Sequence, residues 1–76
     1  MTASELQDML VAMLARQSGG SLRRWRLALG PVQTLSLDTH PHCNWSVRPV
    51  GSTYEIAEIE SLLDHIRLSH PIVSGA

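Results

Sequence analysis

The chain has 76 residues, 43% of them hydrophobic, and a formal net charge of −1, a composition that predicts one small folded domain. Its charge gives no general attraction to nucleic acid, and its apolar runs are far shorter than the ~20 residues of a membrane helix. We expect no signal peptide, because Met1–Glu5 places no basic segment ahead of an apolar one.

Cysteine and lysine usage bears on the source of the chain. Cys43 is the single cysteine, so no internal disulfide can form, and a reducing cytoplasm is the expected compartment. All six cationic residues are arginine, and phenylalanine is absent. Because lysine and phenylalanine codons are AT-rich, this usage points to a GC-rich bacterial or phage genome.

The first predicted element is a helix over about residues 3–17. Apolar residues recur there at spacings of three and four, namely Leu6, Met9, Leu10, Met13 and Leu14. Ser4 with Gln7, or Thr2 with Glu5 in another register, forms a capping box at its start. Gly19 and Gly20 predict its end.

The spacing of apolar residues then changes from the 3.6-residue period of a helix to the two-residue period of a strand. Trp25 and Leu27 alternate with Arg24 and Arg26, which predicts a half-buried strand over about 22–29. After a turn at Gly30-Pro31, two further strands are predicted over about 32–38 and 43–48. Three strands in meander order are the simplest interpretation.

The last predicted element is a helix over about 53–68, which Ser52 and Glu55 begin with a second capping box. Pro71 disfavours helical geometry at the preceding residue and ends the helix. The apolar tail 71–73 must then either fold back or meet a partner. We therefore predict a homodimer that uses this tail and the sheet edges.

These elements predict an α+β fold of α-β-β-β-α order, a single domain over 1–76 with two helices packed on one face of a three-stranded antiparallel sheet. The element order resembles that of double-stranded RNA-binding domains, but residues 51–55 lack the lysine cluster with which those domains grip phosphates. The predicted core comprises Leu10, Met13, Trp25, Leu27, Leu35, Trp45, Val47, Ile59, Leu63 and Ile66.

The stretch THPHCNWSV, residues 39–47, gathers candidate metal ligands. His40 and His42 at this spacing would point to one side of an extended chain, as in some zinc sites. Cys43 and His65 are the remaining candidate ligands. No second closely spaced pair is present, so we expect no metal and favour a polar turn between two strands.

Cys43 is also the candidate nucleophile, with His42, His40 or His65 as its base. It shares strand parity with Trp45 and Val47, which favours a buried, unreactive thiol. A chain this short also lacks the loops that normally build a substrate pocket. We therefore predict a protein that is not an enzyme and that needs no cofactor.

The predicted strand phase places a group of arginines and polar side chains on the outer sheet face, with no acidic residue among them: Arg24, Arg26, Arg48, Asn44 and Ser46. Arginine makes bidentate contacts with carboxylates and phosphates. Because the face lacks aromatic side chains for base stacking, an acidic protein surface is the favoured partner. A nucleic-acid or phosphate-binding module using the same arginines, and a zinc-binding domain using His40 and His42, are the alternatives.

Overall fold

The computed structural model describes residues 1–74, which form three helices and one two-stranded antiparallel sheet. The order is α1 (Ala3–Ser18), α2 (Leu22–Leu29), β1 (Gln33–Thr34), β2 (Trp45–Ser46) and α3 (Thr53–Ser69). The predicted α-β-β-β-α order with a three-stranded sheet is wrong. The resemblance in element order to double-stranded RNA-binding domains therefore does not hold either. Gly75 and Ala76, the end of the predicted domain, lie outside the described residues.

Helices α1 and α3 lie within one residue of their predicted spans, and side chains cap both starts. At α1 the hydroxyl of Thr2 accepts the N–H of Glu5 at 3.1 Å, and the Glu5 carboxylate accepts the N–H of Thr2 at 2.8 Å. Ser52 and Glu55 form the same reciprocal pair at α3. The box at α1 therefore uses Thr2 and Glu5, not Ser4 and Gln7. No helix within residues 1–74 has the length and apolar character needed to cross a membrane.

The segment predicted as the first strand is helix α2, and both of its ends are capped. The hydroxyl of Ser21 accepts the N–H of Arg24 at 3.1 Å. At the other end Gly30, with φ of 72°, donates its N–H to the carbonyl of Arg26 at 3.1 Å. Serine is favoured before a helix because its hydroxyl accepts a free backbone N–H group of the first turn. Glycine is favoured after a helix because it adopts a positive φ without steric cost.

Burial along α2 follows the helical period. Trp25, Ala28 and Leu29 are buried at spacings of three and four, whereas Leu27 is 61% exposed. The prediction that Leu27 belongs to the core is therefore wrong, because the strand phase assigned it to the same side as Trp25.

The sheet is much shorter than predicted. β1 pairs with β2 through Gln33 opposite Ser46 and Thr34 opposite Trp45. The chain between them leaves the extended conformation, since the carbonyl of Ser36 accepts the N–H groups of both Thr39 and His40. Residues 36–42 are all exposed as a result.

All three helices and β2 contribute to one core. Its buried members are Ala3, Leu6, Leu10, Val11, Leu14, Trp25, Ala28, Leu29, Trp45, Val47, Ile59, Leu62, Leu63, Ile66 and Val73. Met13 packs against it half-buried, and Leu35 is also half-buried. Trp25 and Trp45 belong to the same core, but Trp25 reaches it from a helix and not from a sheet.

The C-terminal tail folds back onto the chain. Val73 is 3% exposed, and both of its backbone polar groups bond to the side chain of Asn44 at 2.8 Å. Ser74 donates its N–H to the carbonyl of Met1 at 2.8 Å and forms a parallel bridge with Thr2. Of the apolar tail that motivated the predicted homodimer, Ile72 is 44% exposed. The homodimer itself stays a prediction.

Candidate functional site

The arginines predicted to share a sheet face lie on different elements. Arg24 and Arg26 are on α2, where two residues correspond to about 200° of rotation, so they occupy opposite flanks. Arg24 pairs with Glu55 of α3 through two contacts of 2.7 Å, and Arg26 pairs with Asp8 of α1 at 3.0 Å. These pairs attach α2 to both long helices. The premise of one sheet face that carries all three arginines is therefore wrong.

The other members of the predicted face lie within β2 or close to it. Asn44 is buried, with 6% of its surface exposed, and its side chain holds the tail in place. Ser46 is half-buried within β2, while Arg48 is exposed just beyond that strand. Asn44 is thus placed to stabilise the fold, and Arg48 is available to solvent.

The candidate metal ligands are not brought together. His40 lies in the exposed loop, with its Nδ1 2.8 Å from the hydroxyl of Thr39, and His65 is exposed on α3. The Cys43 thiol is half-buried and donates a weak bond of 3.5 Å to the carbonyl of Trp45. Within residues 1–74, no three histidine, cysteine or acidic side chains are arranged to hold an ion.

The outward face of α2 presents exposed apolar and cationic side chains side by side. Arg23 and Leu27 are four residues apart, and Arg24 and Leu27 are three apart, so each arginine neighbours the leucine on the helix surface. The strand prediction missed this face because it placed Leu27 in the core.

The segment after β2 runs along α2 and extends this face. Val50 donates its N–H to the carbonyl of Ala28 at 2.8 Å and is itself 59% exposed. Tyr54, in the first turn of α3, is 57% exposed. We call the combined face the α2 surface, and it consists of Arg23, Arg24, Leu27, Arg48, Val50 and Tyr54.

Glu55 is the carboxylate that pairs with Arg24 of this surface, and Arg24 neutralises it. The hydrogen bonds from the Arg24 guanidinium, together with the backbone N–H of Ser52, lower the pKa of Glu55 to about 2. Arg23 and Arg48 form no ion pair with any group among residues 1–74. The α2 surface therefore carries a net positive charge.

Gly51 makes the pairing of Arg24 with Glu55 possible. Its φ is +126°, and a Cβ atom there would lie 2.6 Å from a Glu55 carboxylate oxygen and 3.3 Å from Nη2 of Arg24. Only glycine combines this backbone conformation with the close approach of the ion pair.

The lowered pKa of Glu55 predicts a dependence of stability on pH. Because the pKa falls from an ordinary 4.5 to about 2 on folding, the ionised carboxylate stabilises the fold above pH 4.5. This contribution is lost as the pH falls from 4.5 through 2. Urea unfolding across this range should show a steeper loss of stability in the wild type than in Glu55→Gln.

The control for this experiment is Glu60→Gln, which removes an exposed carboxylate from the same helix. It should keep the wild-type slope. Equal slopes in the wild type and Glu55→Gln would contradict the pairing of Glu55 with Arg24.

A cavity of about 300 Å³ opens at one end of the α2 surface. Trp25 and Tyr54 line it together with the ion pair of Arg24 and Glu55, and the remaining lining comes from residues 18–20 and Ser52. The indole N–H of Trp25 donates to the carbonyl of Gly19 at 2.6 Å, which fixes the ring at the cavity wall.

Comparison of the chain with models of protein families, with curated proteins and with solved structures gave no match. A helical prediction for residues 22–29 would have placed Leu27 on the exposed face of the helix. The position of Val50 and Tyr54 beside α2 depends on tertiary packing, so no local sequence pattern could have predicted it.

Proposed function

We propose that this protein is a small non-enzymatic binding protein whose α2 surface docks on an acidic region of a protein partner. The observation that carries the proposal is the exposure of Leu27 on α2 and of Val50 and Tyr54 in the adjoining segment, each 57–61%, together with exposed arginines on α2 and just after β2. Exposed apolar groups clustered in this way favour an interface over an inert surface.

The residue types favour a protein partner over a nucleic acid. Tyrosine and arginine are enriched in protein interfaces, and arginine binds carboxylates in a bidentate manner. Single-strand binding uses several stacking aromatic side chains along a cationic groove, whereas this surface offers Tyr54 alone. The net charge of −1 for the whole chain also weakens attraction to phosphate backbones.

The proposed compartment is the cytoplasm of a bacterium, in which a phage gene could also be expressed. Cys43 is the single cysteine and remains a free thiol, as is common for proteins of reducing compartments.

The partner can be sought by crosslinking through the proposed interface. A photo-crosslinking residue replaces Leu27 in the native host, and the control carries it at Leu68, which is 84% exposed on α3. We expect one adduct from position 27 that is absent from position 68. The protein in that adduct is then purified for titration.

Titration of the purified pair tests the surface directly. Leu27→Asp and Arg23→Glu should each weaken binding about tenfold or more, because central apolar and arginine contacts dominate interface energies. Arg16→Glu makes the same charge change at an exposed site on α1 and should leave the affinity unchanged. Native affinity in both surface variants would contradict the proposal.

The nucleic-acid alternative has its own discriminating result. Mixed RNA and DNA oligonucleotides are titrated at ~50 mM salt, where a phosphate-binding surface binds measurably. Binding that Arg23→Glu abolishes would replace the protein partner with a nucleic acid.

A further inference from the structure

We propose that the cavity beside α2 receives one apolar side chain, aromatic by preference, from an acidic segment of the protein partner. This inference rests on the proposed function and specifies the chemistry that the partner must carry. The carboxylates that flank the inserted side chain would lie over Arg24 and Arg23 at the rim.

The walls of the cavity suit an aromatic ring. Tyr54, which is 57% exposed, supplies most of the aromatic surface, and Trp25, which is 4% exposed, forms part of the wall. Aromatic pairs gain energy beyond that of area burial. Residues 19 and 20 are glycines, so that part of the lining is backbone without side chains. A Cβ atom at Gly19 would meet no atom within 4 Å, which leaves room beside the bonded indole.

The size of the cavity is sufficient for one side chain of a partner. Pockets that hold drug-sized molecules span roughly 300–1,000 Å³, and this cavity of about 300 Å³ lies at the lower limit. An aromatic side chain fits within such a volume, and the rest of its segment would lie across the surface. This is the arrangement of interface hot spots, where an anchor enters a pocket that neighbouring contacts shield from water.

The charge at the rim selects an acidic segment. Arg24 contacts Glu55 through Nε and Nη2, so the third guanidinium nitrogen, Nη1, takes no part in the ion pair. The Arg24 side chain is 56% exposed. Arg23 is also exposed and precedes it on the helix. A carboxylate can therefore bind at the rim without displacing Glu55.

The test uses N-acetyl-L-phenylalanine, which carries both an aromatic ring and a carboxylate. Binding is followed through the indole N–H resonances of Trp25 and Trp45, assigned with tryptophan-to-phenylalanine variants. We expect a saturable shift at Trp25, which lines the cavity, and none at Trp45, which is 2% exposed in the core.

Two control compounds separate the contributions of the ring and the charge. N-acetylglycine lacks the ring, and N-acetyl-L-phenylalanine amide lacks the carboxylate. Each should bind about tenfold more weakly, since one buried ring or one charge-assisted contact is worth at least that factor. No saturable shift at Trp25, or equal binding of N-acetylglycine, would overturn the inference.

A cavity-filling variant tests whether the probe and the partner bind in the same cavity. Ser18→Leu places a larger side chain in the lining, and Ser61→Leu makes the same change at an exposed site on α3. The first should abolish probe binding and weaken the partner about tenfold, whereas the second should change neither.

The variant Leu27→Asn distinguishes failure of the inserted side chain from failure of the proposed function. Position 27 lies outside the cavity lining, and asparagine adds no charge beside Arg23 and Arg24, so probe binding should stay intact. Partner affinity that falls in Leu27→Asn but not in Ser18→Leu overturns the insertion of a side chain into the cavity alone. Partner affinity unchanged in both overturns the docking surface, and the anchor with it.

Discussion

Replacing Trp45 with alanine is expected to lower the free energy of unfolding by ~3–5 kcal/mol. Trp45 is 2% exposed, and its indole N–H donates to the carbonyl of His70 at 2.8 Å. The guanidinium carbon of Arg67 lies 5.6 Å from the ring centroid, a cation–π contact. The substitution therefore leaves a cavity, an orphaned carbonyl and an arginine without its aromatic partner.

This loss is comparable with the whole stability of a domain of this size, so Trp45→Ala should be largely unfolded at 25 °C. Circular dichroism against urea concentration measures the change. Tyr54→Ala is the matched control, because it truncates an aromatic side chain that is 57% exposed, and it should unfold near the wild-type midpoint. A cooperatively folded Trp45→Ala protein with a native midpoint would place Trp45 outside the core.

The two long helices were predictable because local signals agree with packing. Apolar spacing, capping serine or threonine with glutamate, and the terminal glycine or proline all operate within one or two turns. These signals hold for α1 and α3 whatever lies around them. The choice between two capping registers at α1 was open in the sequence, because Thr2 and Ser4 are each followed three residues later by Glu5 or Gln7.

The sequence predicts a strand where the structure has helix α2, because the apolar residues of this segment fit both the helical and the strand period. Trp25, Leu27 and Leu29 alternate, yet Trp25, Ala28 and Leu29 satisfy the helical spacing once alanine counts as buried. Intrinsic propensity decides between the two. The segment Leu22–Leu29 contains leucine, arginine, alanine and one tryptophan, with no β-branched residue, and such a composition favours a helix.

The prediction of a strand over residues 22–29 also caused the wrong placement of the arginines. In a strand Arg24 and Arg26 would share one face, whereas on a helix they flank opposite sides and each meets a different carboxylate. Glu55 is 31 residues from Arg24 along the chain, and Asp8 is 18 residues from Arg26, so no local sequence pattern predicts these ion pairs. Which arginines remain unpaired among residues 1–74 therefore could not be predicted from the sequence.

The predicted strand phase places Asn44 on an exposed face, whereas in the structure its side chain is hydrogen-bonded to the C-terminal tail. Its Nδ2 donates to the carbonyl of Val73, and its Oδ1 accepts the Val73 N–H, both at 2.8 Å. Its backbone N–H donates to the carbonyl of Pro71 at 3.1 Å, and its own carbonyl accepts the N–H of Leu35 at 2.7 Å. The residue thus bonds the tail on one side and the chain after β1 on the other.

The variant Asn44→Asp should destabilise the protein at pH 7 by about 3 kcal/mol or more. The carboxylate still accepts the N–H of Val73, but its second oxygen faces the Val73 carbonyl in place of a donor. Burial and this repulsion also raise the pKa of the new carboxyl in the folded state. The penalty is therefore present above that raised pKa and is relieved as the pH falls below it, when the protonated group donates to the carbonyl again.

Urea unfolding at pH 7 and pH 4, with hydrogen exchange at the Val73 amide, measures both effects. The stability difference between wild type and Asn44→Asp should narrow at pH 4, and Val73 should exchange faster in the variant at pH 7. Asn44→Leu, which has a similar shape but neither hydrogen-bonding group, should lose about 1–3 kcal/mol at both pH values. If Asn44→Asp unfolds at the wild-type midpoint at pH 7, the tail does not depend on this amide, and Val73 must be held by its apolar contacts alone.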